Sequence, residues 1–257
     1  MGALSPEEKV YAYPPHTVAQ CAASACAALA RDAGWSIGVL DGAGAATVAF
    51  AASVAAAPAD ALAVFVAAGT ADADLTFLRI LRRFRLAAAS RPPLLLFGPS
   101  AGLVAGPWLD EGVADALLAG EPEAAIAPAL AALQDGGRGI LRAQDLRPEA
   151  YAPSGLLSDL DALPFPAWDL VPWQPYNMVS LLSSRGCPAN CRYCAYVLTQ
   201  GKSHRSQSVA RTVAEWTWLA EQIQPPYLVV RDPVFALDRG RAAAVCEGVA
   251  ARGLKLG

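Results

Sequence analysis

Charge is scarce in this chain of 257 residues: 17% of them are Asp, Glu, Lys or Arg, the formal net charge is −3, and only two histidines and two methionines occur. So small a net charge provides no basic face, which argues against nucleic acid as a partner. A G-x-G-x-x-G fingerprint and a Walker-type loop are both missing, so no nucleotide site is indicated. Apolar stretches are interrupted by Asp, Arg, Gly or Pro before they reach bilayer-spanning length, and no membrane partner is expected. The first residues lack a basic start followed by an apolar core, so they do not read as a secretory signal. The six cysteines follow no regular spacing. That excludes a disulfide framework and fits a reducing cytoplasm. What is plentiful is apolar surface, at 54% of residues, enough for a well-buried α/β protein.

Apolar patterning sets out an alternation. Residues 8–12 read as a first strand, ended by Pro14 and Pro15, with Thr17 as a cap for a helix over 18–33. A strand over 35–40 and an alanine-rich helix within 43–57 follow. The continuous apolar runs 61–68 and 93–97 have the character of strands covered on both faces. Between them lies a helix with Leu75, Leu78, Leu81 and Phe84 on its inner side. A small strand over 114–119 leads to Gly120-Glu121-Pro122-Glu123, whose carboxylates suit the first turn of a helix over 124–133. Five strand–helix alternations predict a doubly wound parallel sheet with a ligand crevice at the carboxyl ends of its strands. The loops there, 13–17, 69–72, 98–102 and 120–123, offer Thr70, Gly98, Ser100, Gly120 and Glu121 as candidate ligand contacts. Glycines at such junctions also serve simply to let the chain turn.

The densest chemistry lies at Cys187-Pro188-Ala189-Asn190-Cys191-Arg192-Tyr193-Cys194, directly after a buried strand over 176–183. One short loop wraps three thiolates around a metal cluster more readily than it pairs them as disulfides. An iron–sulfur cube with three cysteine ligands keeps one iron open to a substrate or cofactor. Zinc normally takes four ligands in pairs of C-x2-C, and the chain has no second pair. Cys21, Cys26 and Cys246 fall in helical apolar patterns, where cysteine is usually a small buried residue.

The spacing C-x3-C-x2-C, with an aromatic residue before the last cysteine, resembles the signature of the radical S-adenosylmethionine enzymes. The resemblance implies a 4Fe–4S cluster on Cys187, Cys191 and Cys194. It further implies that S-adenosylmethionine chelates the open iron and is cleaved to methionine and a 5′-deoxyadenosyl radical. Tyr193 then either packs on the adenine or anchors the loop in the core. The order strand–Pro-Pro–helix–strand, with the loops Gly69-Thr70, Gly98-Pro99-Ser100 and Gly120-Glu121-Pro122-Glu123, is similar to the N-terminal cobalamin-binding domain of the cobalamin-dependent members. Pro99 and Pro122 stand where that class commonly has glycine. His16 does not sit in an Asp-x-His-x-x-Gly loop, since Pro14 and Ala19 take the Asp and Gly positions. The resemblance therefore implies a cobalamin without a histidine below the cobalt.

On that resemblance, residues 1–135 are a Rossmann-like cobalamin-binding domain, 136–175 a linker with a Leu163-Pro164-Phe165-Pro166 pattern, and 176–257 the first units of a partial β/α barrel. Ser208 is expected to cap a helix over 209–222, with Val213, Trp216 and Leu219 inward and Arg211, Glu215 and Glu221 outward. Asp232-x-x-Phe235 follows the second barrel strand as it does in the group. Fewer than three barrel units are present, which suggests an N-terminal fragment, a truncated frame or half of a split enzyme. The implied activity is methylation of an unactivated carbon or phosphorus in a small molecule, with flavodoxin or ferredoxin as electron donor. Two rivals remain. One is an electron-transfer protein whose fourth cluster ligand is His204. The other is an inactive product that folds only its first domain.

Overall fold

A computed structural model describes residues 16–42, 45–171, 178–194, 196–224 and 227–254. The strand expected at 8–12 lies outside them. The first described element is helix α1 (His16–Asp32), which starts two residues earlier than expected, so His16 opens a helix rather than sitting in a loop. After α2 (Thr47–Ala56), the chain builds a parallel sheet from β1 (Leu62–Phe65), β2 (Leu94–Phe97), β3 (Ala116–Ala119) and β4 (Gly139–Arg142), in the spatial order 1-2-3-4. Helix α3 (Ala71–Ala87) links β1 to β2. The short helices α4 (Ala101–Val104) and α5 (Gly106–Asp110) link β2 to β3, and α6 (Ile126–Gln134) links β3 to β4.

Alternation along β2 shows why this is a three-layer α/β fold. Leu94 and Leu96 face a core with Leu62, Leu78, Leu81 and Leu117. Leu95 and Phe97 face the opposite core with Cys26, Ile126, Leu130 and Leu133. Successive strand side chains point to opposite faces, so a strand apolar at every position must be covered twice. The continuous apolar runs of the sequence therefore report burial on both sides.

Residues 35–40 belong to no strand among the described residues. Trp35 and Ile37 pack on the α1–α6 core while Val39 and Leu40 are exposed. The period-two pattern is present without a ladder, because a ladder also needs a neighbouring strand. Residues 136–175 contain β4, then α7 (Ala143–Leu146). Tyr151, Leu157 and Leu160 of the same stretch enter the core on the α1 side of the sheet.

A second parallel pair, β5 (Met178–Leu181) and β8 (Tyr227–Val230), follows. Its crossover contains a two-residue antiparallel ladder, β6 (Ser184–Arg185) with β7 (Arg205–Ser206), the helix α8 (Tyr196–Gln200), and α9 (Val209–Trp218). Ser208 caps α9 as expected, its hydroxyl accepting from the Arg211 N–H at 3.1 Å. A π turn over Leu219–Ile223 then extends the helix. Trp168, Val179, Leu181, Val213, Trp216 and Leu219 share a core with Val245 and Val249 of α10 (Arg239–Ala250). Glu215 was expected outward and is instead buried, because Arg211 at 3.3 Å and Gln207 at 3.4 Å enclose its carboxylate. Residues 254–256 are expected to begin a third barrel strand, and all but Leu254 of them lie outside the described residues. Helix α1 packs on α6 and β5, and its Cys26 and Ala30 share a core with Leu95 and Phe97 of the first sheet. Among the described residues no helix is long and apolar enough to cross a membrane.

Candidate functional site

The cysteine loop begins and ends on the β6–β7 ladder, where Arg185 pairs with Arg205. Gly186 opens the loop at φ 79°, a left-handed conformation that a side chain disfavours, and a Cβ there would collide with the Ser203 carbonyl oxygen. Beyond it the Cys187 N–H donates to the Gly201 carbonyl at 3.1 Å, which ties the first cysteine to the end of α8. Cys187 is buried, Cys191 is exposed and Cys194 is half-buried. The Cys194 N–H donates to the Cys191 carbonyl at 3.2 Å in a tight turn. The Tyr193 side chain is 92% exposed, which rules out the reading that it anchors the loop in the core. The negative charge of Cys191, together with a hydrogen bond to it, pushes the Tyr193 phenol above its ordinary value.

Among the described residues no three His, Cys, Asp or Glu side chains stand together as a metal site. The donor chemistry nonetheless suits an iron–sulfur cluster: three thiols within eight residues, two of them reaching the surface. His204 has a buried Nε2 with no hydrogen-bond partner among the described residues, and it joins no metal-ready group.

Glu121 and Glu123, at the carboxyl end of β3, are both about 1% exposed. They neutralise the two ladder arginines. Arg205 holds Glu121 through two bonds of 2.8 Å, and Arg185 holds Glu123 at 2.7 Å. Glu121 also accepts from the Leu157 N–H at 2.7 Å, and its own carbonyl accepts from the Tyr151 hydroxyl at 2.6 Å. Burial alone would raise the Glu121 carboxyl, but Arg185 and Arg205 outweigh it and hold the group below the usual carboxylate range. Burial, with the Glu123 and Glu121 charges, pushes the Tyr151 phenol up. The base of the cysteine loop is therefore fastened to the edge of the first sheet.

An open cleft of ≈ 230 Å³ lies beside this junction. Gly102, Gly120, Arg142 and Gln144 line it from the first sheet, and Leu198 and Thr199 of α8 from the other side. It sits at the carboxyl ends of β3 and β4, where an open α/β sheet holds its ligands. Gly120, at φ 104°, keeps that wall low.

The candidate contacts divide. Gly120 and Glu121 border the cleft, the Glu121 carboxylate being engaged by arginine. Thr70 donates to Asp74 at 2.8 Å, and the Ser100 hydroxyl accepts from the Ala68 N–H at 2.8 Å. A Cβ on Gly98 would meet the Val66 carbonyl oxygen. Ser100 and Gly98 join the β1 and β2 loops, Thr70 ties the β1 loop to its own helix, and none of the three lines the cleft. Arg142, Gln144 and Leu198 do line it, and no motif marked them. The alternation of β4, with Leu141 inward and Arg142 outward, is the signal that was available.

No family profile matches the chain. An uncharacterized methyltransferase of Pyrococcus horikoshii is 28% identical over 152 residues, 55% of this chain and 33% of that protein. The hopanoid C-3 methylase of Methylococcus capsulatus is 28% identical over 172 residues, 62% of this chain and 32% of that protein. The chain thus spans about a third of these relatives. Among solved structures, the radical S-adenosylmethionine methyltransferase TsrM of Kitasatospora setae, with tryptophan substrate and the analogue aza-SAM bound, superposes with a TM-score of 0.68 at 17% identity. The superposition covers 93% of this chain and 49% of TsrM. A second TsrM structure, with cobalamin and a [4Fe-4S] cluster bound, gives 0.67 at 16% identity. The chain shares its α/β fold with about half of TsrM, and its sequence resembles methyltransferases.

Proposed function

We propose that this chain carries the cofactor-binding half of a cobalamin-dependent radical S-adenosylmethionine methyltransferase. The observation that carries the reading is the attachment of a three-cysteine loop, through Arg185 and Arg205, to the carboxyl edge of a parallel sheet beside an open cleft. Cys187, Cys191 and Cys194 would hold a 4Fe–4S cluster, with one iron open to S-adenosylmethionine. Gly102 and Gly120 would border a bound cobalamin, and Leu198 and Thr199 would meet it from the cysteine-loop side. Once bound, the cluster supplies a reducing electron to S-adenosylmethionine, and cobalamin supplies a transferable methyl group.

The protein's own contribution is placement. The ladder fixes where the cysteine loop starts and ends. Asp232 accepts from the Ser183 N–H at 2.6 Å and from the Ser183 and Ser184 hydroxyls at 2.7 Å, holding the approach to the loop. Tyr193, exposed beside two of the cysteines, is free to lie on an adenine. The reaction proposed is methylation of an unactivated carbon or phosphorus in a small molecule, in the cytoplasm, with flavodoxin or ferredoxin as electron donor.

Anaerobic reconstitution with iron and sulfide tests the reading, using Cys191→Ala as control and 5′-deoxyadenosine release as a second readout. Wild type is expected to gain an oxygen-sensitive cluster absorption that the variant lacks, and to bind cobalamin with or without iron. A wild-type protein that takes up neither overturns it.

A further inference from the structure

Within the cleft, positive charge is left over. Glu121, which lines the cleft, and the neighbouring Glu123 are already matched by Arg205 and Arg185. Arg142 is different. It ends β4 on the face away from Leu141, is exposed, lines the cleft, and has no hydrogen bond or ion pair among the described residues. Helix α7 begins at the next residue, and its second residue, Gln144, brings a side-chain amide to the same wall. Gly155 leaves that amide its place, because a Cβ on Gly155 would collide with Gln144 Oε1. The apolar Leu103, Leu156 and Leu198 line the same cleft. A cleft that combines apolar side chains with a guanidinium and an amide suits a ligand with an apolar body and an oxygen-rich edge.

We infer that Arg142, seconded by Gln144, is the cleft's recognition site for a peripheral oxygen of the bound corrinoid. The inference rests on the cobalamin reading above. Two parts of a corrinoid offer such an oxygen: the phosphodiester of the nucleotide tail and the amide carbonyls around the ring. Arginine serves both as a donor and a phosphate in particular as a counter-charge.

Equilibrium dialysis of the full chain with cobalamin, and separately with cobinamide, which keeps the ring amides and lacks the nucleotide, distinguishes them. Arg142→Met and Gln144→Leu change exposed side chains, so their thermal unfolding should match wild type. Arg142→Met is expected to weaken cobalamin binding by about tenfold to a hundredfold, the size of a charge-assisted hydrogen bond. If cobinamide binding is untouched by the change, the oxygen belongs to the phosphodiester. If both ligands weaken alike, it belongs to a ring amide. Wild-type affinity for both ligands in a folded Arg142→Met protein overturns the assignment and leaves the cofactor reading standing. A wild type that binds neither ligand overturns both.

Discussion

The sheet edge at Gly120–Glu123 and the cysteine loop at 186–194 are neighbours built on opposite terms. At the sheet edge every charge is buried and paired, with four bonds of 2.7 to 2.8 Å onto two carboxylates. In the loop, Cys191 and Tyr193 are exposed, and a single turn bond joins two of the cysteines. The carboxylates of the edge are already matched by arginine, whereas the loop has donors waiting for a ligand. Rigid support beneath an adaptable binding segment is how proteins commonly place reactive groups.

Breaking the edge should have the largest effect. Glu121→Ala leaves the largely buried Arg205 without its carboxylate, and removing one member of a buried pair costs about 3–5 kcal/mol. Chemical unfolding should show that loss. Replacing Glu121 and Arg205 together by apolar residues should cost less than the single change, because no stranded charge remains.

Acid should attack the same edge more gently. The folded-state value of Glu121 is depressed, so its contribution is complete above the unfolded carboxylate value of about 4.3. That contribution fades as the pH falls through the lower folded-state value. Glu215 has the opposite sign. Burial outweighs Arg211 and Gln207 and raises its value, so this group lowers stability as the pH rises above the unfolded value. Unfolding followed across pH should show the acid loss shrinking in Glu121→Gln, and a gain near neutrality in Glu215→Gln.

The smallest effect on stability belongs to the loop. Cys191→Ala alters an exposed side chain and should shift unfolding by no more than about 0.5 kcal/mol. The same variant should lose the cluster absorption entirely. An edge variant that unfolds and a loop variant that only loses its metal would confirm the division of labour; a large stability loss in Cys191→Ala would erase it.

Much of the architecture was legible in local pattern. Leu94–Phe97 is apolar at every position because it is covered on both faces, and the Ser208 cap is visible one residue before α9. The cysteine spacing is a local signal too. The junction was not legible. Glu121 finds Arg205 across 84 residues and Glu123 finds Arg185 across 62, and such pairs leave no periodicity to read. Local logic placed those glutamates at a helix N-terminus and among ligand contacts. Glu215 was misread for a related reason: helical spacing assigns it a face but cannot show that Gln207 and Arg211 close over it.

The β6–β7 ladder makes the cysteine loop a closed ring of chain, with both ends held at one point on the sheet edge. Shortening or lengthening the ring's far side leaves the separation of its ends unchanged. Loop-closure entropy grows only slowly with length, so changes of size at the tip are cheap. When the ring tightens around a ligand, the change stays within it, and amide exchange should slow at 188–194 while the strands beneath keep their protection. The fold thereby separates the evolution of the binding ring from that of the wall that carries it.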